Sequence, residues 1–346
     1  MDTLTHALSG ALLARATWNR RQARLPLRQR TQAGFLAAAF PDIDYILQLV
    51  NNDFLVYLNY HRGITHSIVL LPAWALLLAF LFSKIIHPAP DRRALFTLCC
   101  LCLGIHIAGD IITSYGTMIL APFSDWRASL DLTFIIDFIF TGILLIGLLA
   151  SIILRRQQLA AVVGLAVLAA YLGMQSWAHQ QAVASGEEAA LSNDWHDVEI
   201  SAIPQPLSPF NWKIIVAHAE HYHVGLVRLF GNDIENHGDE GLIAAIRSAY
   251  QSPDNLQWRR EYRYGADSLK SGEIRAAWLS DAIADFRRFT RYPVLLENIA
   301  SAQQCYWFSD LRFMLRGREI SRMFTYGVCY GDDTDEIFLK RFDPSS

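Results

Sequence analysis

The sequence predicts an α-helical polytopic membrane bundle over residues 1–180, followed by a soluble α+β domain over residues 181–346. Three observations lead there. Apolar stretches long enough to cross a bilayer all fall before residue 181. Charge is sparse in the first half, with 13 Lys+Arg and 9 Asp+Glu, and ordinary in the second, with 17 and 24, so the halves carry net +4 and −7. Near residue 185 the pattern changes from unbroken apolar runs to short β-rich and amphipathic segments.

The whole chain is 52% hydrophobic and 18% charged, which excludes a disordered polypeptide. A net charge of −3 argues against nucleic acid as a partner. Segments 3–16 and 31–40 reach only about 21 and 15 Å at 1.5 Å per residue. They are expected to form a hairpin packed against the bundle. The run Ala14-Arg15-Ala16 superficially resembles the end of a signal peptide, but Asp2, His6 and the lack of a basic leading region argue against cleavage. Segments 67–86, 94–115, 132–154 and 159–177 are each long enough for a hydrocarbon core of about 30 Å.

Lys and Arg positions orient these spans. With loop 15–30 inside, the inner loops carry Arg15, Arg20, Arg21, Arg24, Arg28, Arg30, Lys84, Arg92, Arg93, Arg155 and Arg156. The outer loops carry Arg62 and Arg127. Eleven against two is a strong positive-inside bias. The chain is therefore expected to be a multi-pass membrane protein with an extracytoplasmic C-terminal domain.

In that domain, 214–216 and 223–230 are β-rich, while 240–250 and 275–288 have helical spacing with charged faces. Segments 304–314, 323–330 and 337–342 read as strands. Cys99, Cys100 and Cys102 lie in an apolar run and are expected as buried thiols. Cys305 and Cys329 could pair if their half meets an oxidising compartment; spacing alone leaves the pairing open.

Ionisable residues inside apolar segments are costly and mark function. Here they cluster: His6 in the first segment, Asp42 and Asp44 in Pro41-Asp42-Ile43-Asp44, and His61 and His66 in His61-Arg62-Gly63-Ile64-Thr65-His66-Ser67. His106 and Asp110 share one helix face at i, i+4. Asp131 and Asp137 open the third long span. Gly63 allows a bend that brings His61 and His66 together. All nine fall at the outer side of the membrane although they lie between positions 6 and 137. Several His with several Asp is a donor set for Zn²⁺ or a pair of divalent ions. The metal-ligand candidates are His6, Asp42, Asp44, His61, His66, His106 and Asp110. Asp131 and Asp137 are candidates for a general base or a partner of a ligating His. Arg62 and Arg127 could hold a phosphate. His87 and His179 read as interfacial. His218, His221 and His223 form a second group, read as a solvated strand edge in preference to a metal site, with His221 and His223 on one strand face.

These motifs carry a resemblance. Met1-Asp2-Thr3-Leu4-Thr5-His6, Pro41-Asp42-Ile43-Asp44, the 61–67 motif and His106-Ile107-Ala108-Gly109-Asp110 resemble the bacterial inner-membrane-associated, metal-dependent hydrolases over roughly residues 1–180. Residues 206–212 are also similar to longer members. The order His, Asp, His, His-x-x-x-Asp is similar to that of zinc-dependent phospholipase C, whose later His and His-x-x-x-Glu ligands have no match here. The resemblance implies hydrolase activity more firmly than any substrate.

The first functional reading is a membrane-embedded metallohydrolase acting on an ester or phosphoester, such as a lipid headgroup, through metal-activated water. Its partners are membrane lipid and a small-molecule or lipid substrate. A Ser-His-Asp mechanism is disfavoured, because Ser67 lacks the Gly-x-Ser-x-Gly elbow. A non-catalytic scaffold with a structural metal and an exported partner-binding domain is the alternative. A metal or proton transporter is a weaker one, since Ser151 is the only polar side chain in 142–154.

Overall fold

The computed structural model describes all residues except 19–24, 51–53, 87–90, 232–247, 268, 298, 300–303, 316–322, 332–336 and 344–346. Most of the expected helix at 240–250, and His87, lie outside the described residues. The chain divides into two compact units: Met1–Val50, Tyr60–Trp177 and Pro204–Pro209 in one, and Asn51–Asn59, Ala178–Ile203 and Phe210–Ser346 in the other.

The first unit is helical. Its helices are α1 (Thr3–Ala16), α2 (Leu27–Ala39), α3 (Ile46–Val50), α5 (Leu71–Ile85), α6 (Arg92–Ile111), α7 (Phe138–Ile153) and the start of α8 (Gln157–Ser192), with α4 (Phe54–Tyr60) lying between α3 and α5 in sequence. Asp2 starts α1 by accepting from the Thr5 backbone N–H at 3.0 Å. Helix α2 does not stop at residue 40. A 3₁₀ turn, Phe40–Tyr45, carries it into α3, so Leu27–Val50 becomes an apolar helical segment of 24 residues, long enough to span. The expectation of a segment too short to cross missed this, because Pro41 reads as a helix stop yet sits comfortably in the first turn of the 3₁₀ helix. Arg92–Ile111 and Gln157–Ser192 are also long and apolar enough, Phe138–Ile153 is a shorter apolar helix, and Phe54–His66 with Leu71–Ile85 would make one span bent by 75°. The expected span at 132–154 starts late, at Phe138, because Asp137 caps the helix.

Helices α1 and α2 pack backbone to backbone. A Cβ on Gly10 would lie 2.3 Å from both Ala38 Cβ and the Gly34 carbonyl oxygen, and one on Gly34 would lie 2.6 Å from Ala14 Cβ. Small residues at such a crossing allow the close van der Waals contact that membrane helices use in place of a hydrophobic drive. Ala14, Ala33, Ala37 and Ala38 join Leu78, Leu95, Leu98 and Cys102 in one core. Leu8, Leu12, Phe140, Leu144, Ala161 and Leu168 form another. Leu76, Leu77, Phe80, Leu81, Leu145, Ile146, Leu149, Ile152 and Ile153 remain exposed, an apolar surface suited to lipid. Ser151 accepts from Arg15 Nε at 2.7 Å, which accounts for the lone polar side chain in its run.

The second unit holds two four-stranded sheets, in the orders β1-β2-β3-β4 and β5-β6-β7-β8. Their strands are β1 (Glu199–Pro204), β2 (Asn211–Ala217), β3 (His221–Arg228), β4 (Trp258–Tyr262), β5 (Pro293–Leu295), β6 (Cys305–Asp310), β7 (Thr325–Tyr330) and β8 (Ile337–Arg341). The pairings β2/β3, β3/β4, β5/β6, β6/β7 and β7/β8 are antiparallel. Between β4 and β5 lie α9 (Ser271–Leu279) and α10 (Ala284–Phe289), which divide the expected 275–288 helix at Ser280. Strand β2 is buried on both faces: Trp212, Ile214 and Val216 pack with Ala178 and Ala182 of α8, while Ile215 packs with Val294 and Leu311. Cys305 and Cys329 are cross-strand partners joined by a disulfide. Cys99 and Cys102 are buried free thiols, and Cys100 is half-buried.

Candidate metal centre

Three elements of the helical unit deliver the central group: the 3₁₀ turn after α2 brings Asp42, a short 3₁₀ turn (Ile64–His66) before α5 brings His66, and α6 brings His106 and Asp110 one turn apart. Their donor atoms lie within 4.8 Å of one another. Asp110 Oδ2 is 3.1 Å from His66 Nε2 and 3.3 Å from His106 Nε2. Asp42 Oδ1 is 3.7 Å from each of the same two nitrogens. All four residues are at most 6% exposed. Despite this proximity, His66 Nε2, His106 Nε2, Asp110 Oδ2 and Asp42 Oδ2 make no well-formed hydrogen bond. Buried polar atoms normally find partners, so a buried Asp/His group with several unpartnered atoms this close together could hold a metal ion.

The residues fit a divalent ion by a second criterion. Metal–nitrogen bonds of about 2.0–2.1 Å in a tetrahedron put neighbouring donors about 3.3–3.4 Å apart. The observed spacings of 3.1–3.7 Å bracket that edge. The imidazoles are also aimed correctly. His106 Nδ1 donates to the Ala38 carbonyl at 2.6 Å, leaving the Nε2 lone pair facing the group. His66 Nδ1 is 2.9 Å from Thr65 Oγ1 and 3.5 Å from Asp44 Oδ2.

The remaining sequence candidates take other positions. Asp44 stands behind the donors: its carboxylate meets His61 Nδ1 at 2.9 Å and accepts from the Arg62 backbone N–H at 3.0 Å. His61 thus contacts Asp44, and its ring packs edge-on to His66 at 5.9 Å. His6 stacks on His106 at 3.7 Å and reaches Asp110 Oδ1 at 3.1 Å. That same oxygen accepts from the Met1 amino group at 2.6 Å and from Arg62 Nη2 at 2.9 Å. Arg62 is buried and occupied by Asp110 and by Thr113 Oγ1 at 2.8 Å, so its guanidinium is not available to a phosphate. It also takes a left-handed backbone conformation, with φ of 59°, while Gly63, expected to allow a bend, has φ of −100° and lets the chain approach the Tyr60 carbonyl. Arg127 Nη1 donates to the carbonyls of His61 at 3.3 Å and Gly116 at 3.4 Å. Asp131 is buried and accepts from Ser129 Oγ at 3.0 Å. Asp137 accepts from the backbone N–H groups of Ile139 and Phe140 and from Tyr171 Oη at 2.7 Å, the role of a helix cap. The Ala38 carbonyl, Thr65, Thr113 and the Met1 amine were absent from the sequence reading. Thr65 lies inside the 61–67 motif and was findable; the backbone carbonyl leaves no trace in side-chain identity.

A cavity of about 210 Å³ between α1, α6, α7 and α8 is lined by Thr5, His6, Ser9, Ile105, Phe140 and Leu168 among others. His6 and Met1 are therefore members of the cluster that meet this apolar space.

In the β domain, His218, His221 and His223 also bring donor atoms within 4.8 Å of one another. Burial, with the neighbouring His221, Arg260 and His218, pushes the His223 imidazole down to about 4.

A family model described as YdjM inner membrane protein matches residues 1–182, a range that includes all four central donors. The uncharacterized protein YfhP of Bacillus subtilis (strain 168) is 31% identical over 231 residues, covering 65% of this chain and 68% of its own length. No solved structure gives a significant match.

Proposed function

We propose that this chain, which belongs to the YdjM inner membrane protein family, is a membrane-bound, metal-dependent hydrolase of an ester or phosphoester such as a lipid headgroup. The observation that carries this reading is the convergence of Asp42, His66, His106 and Asp110 with orphaned donor atoms in an apolar helical unit. Asp42, His66, His106 and Asp110 would hold a divalent ion, zinc first, which would supply Lewis acidity toward an ester or phosphoryl oxygen and lower the pKa of water. Asp44 fixes His61 and His66, and the Ala38 carbonyl fixes His106. His6, between Asp110 and the cavity, takes the proton from water and returns it to the leaving group. The base role passes to His6 because Asp137 is engaged in capping α7. Arg127, half-buried and anchored by the His61 and Gly116 carbonyls, meets the phosphate in place of Arg62. The apolar lining of the cavity suits an acyl chain.

The test uses full-length protein in detergent, with metal content and hydrolysis of a phospholipid and phosphoester panel measured on one preparation. Parent protein should turn over at least one member. His6→Gln should keep its metal while turnover falls by roughly 10²–10⁴, the usual worth of a general base. The scaffold reading draws on one specific observation: four buried protein residues could hold the ion, the number of protein ligands that structural zinc sites use. A filled site with no turnover across the panel would favour it.

A further inference from the structure

We propose that His218, His221 and His223 form a second metal site, on the β domain, for a late divalent transition-metal ion of the Cu²⁺ or Zn²⁺ class. The strand register builds it. His218 and His221 flank a two-residue turn between β2 and β3, tied by the His218 N–H donating to the His221 carbonyl at 2.9 Å. His223 follows His221 by two residues, and Val216 pairs with His223. Alternation along paired strands therefore puts all three imidazoles on one sheet face. Spacing along one strand had offered His221 and His223 alone; the turn adds His218.

The rings are already gathered. His218 and His221 stack at 4.2 Å, and His221 and His223 meet edge-on at 5.0 Å. His218 Nε2 and His223 Nδ1 are 3.2 Å apart, close to the roughly 3.3 Å edge of a tetrahedral imidazole site. Imidazole donors select zinc, copper and nickel over magnesium or calcium, and copper binds most tightly in that series. Trp195 lies flat against His223, with ring centroids 3.9 Å apart and planes 2° apart, which buttresses the imidazole on its outer face.

Arg260 opposes the site in a defined way. It pairs with His223 across β3 and β4, and its Nε donates to His223 Nε2 at 3.3 Å. That bond keeps the His223 proton on Nδ1, the atom facing His218. Metal ligation by Nδ1 needs the proton on Nε2, so the exposed Arg260 side chain must turn away. Removing Arg260 should therefore tighten binding, the opposite of what loss of a ligand or of general structure does.

The experiment titrates full-length protein in detergent with Cu²⁺, following bound copper and tryptophan emission. A Cu²⁺ ion beside Trp195 should quench it, and Trp195→Phe identifies that part of the signal. His218→Ala/His223→Ala should lose about one equivalent of copper and the Trp195-dependent quenching. His106→Ala should lose copper from the helical unit and keep that quenching, so failure of the hydrolase reading leaves this result unaffected. Arg260→Gln should bind on the order of 5-fold tighter, through the removed positive charge and the freed Nε2. Unchanged copper content and quenching in the double variant overturns the proposal. If that variant does not fold, Arg260→Gln decides: tighter binding supports the site, and unchanged or weaker binding overturns it.

Discussion

At the scale of single residues, the helical site divides its histidines and aspartates into those that present lone pairs to a common point and those that hold them there. Asp42, His66, His106 and Asp110 do the first; Asp44, His61 and the Ala38 carbonyl do the second. His106→Ala and Asp110→Ala each remove a donor and should lower metal affinity by more than the roughly 10–100-fold that loss of a supporting partner costs. Asp44→Asn should fall within that 10–100-fold range, because it leaves all four donors present but loosens His61 and His66. Equilibrium dialysis of the three variants would order them, and equal losses would erase the distinction. The i, i+4 spacing of His106 and Asp110 was legible in sequence because helix geometry alone sets it. The division of labour was not, since His61 and His66 look alike until their neighbours are known. Asp137 illustrates the same limit: an acid opening an apolar helix reads equally as a buried base or as a cap. With two backbone N–H donors and Tyr171 on its carboxylate, Asp137→Asn should keep bound metal near the parental level, since Asn caps nearly as well. Asp137→Ala should cost about 1 kcal/mol, read from denaturant unfolding.

The elements were legible to the degree that one period ruled them. The apolar runs at 94–115 and 159–177 became α6 and the first part of α8, and the β-rich 323–330 became β7. Boundaries failed where a local side chain or turn competed with the pattern, as at Asp137 for α7 and at the 3₁₀ turn that extends α2. Strands β1, β4 and β5 were missed: β5 is only three residues long, and Arg259, Arg260 and Glu261 make β4 read as loop. Gly10 and Gly34 were not singled out, because a glycine in a helix announces a cost and not the partner that justifies it. That partner is the crossing itself. The crossing brings the end of α2, with Asp42 just beyond it, beside α1, with His6 at its start. Gly10→Val would insert side-chain volume where even one Cβ lies 2.3 Å from Ala38 and Gly34. The helices must part, so thermal stability should drop by about 1–3 kcal/mol and bound metal should drop with it. Parental melting and metal content would mean that α1 and α2 do not need this contact to build the site.

For the whole molecule, the question is on which side of the membrane the site and the β domain lie. The eleven-to-two distribution of Lys and Arg gives the direction. One of the two outer-loop cations, Arg62, is buried and ion-paired with Asp110 at 2.9 Å. The apolar segments Leu27–Val50, the bent pair 54–85, α6, α7 and α8 are compatible with alternating crossings that leave residue 177 outside. The Cys305–Cys329 disulfide agrees independently, since such bonds persist in oxidising compartments and are rare in the bacterial cytoplasm. A reporter active only outside the cytoplasm, fused after Trp177, should therefore be active, and the same reporter fused after Arg93 should be silent. The two fusion points differ by three crossings, α6, α7 and α8, so one topology predicts opposite signals from the two fusions. If the pattern reverses, the candidate metal centre faces the cytoplasm, and the expected outer placement of its His and Asp residues fails. If both fusions are active, one of α6, α7 and α8 does not cross, and the 16-residue α7 is the first to suspect, because at about 24 Å it is shorter than the hydrocarbon core.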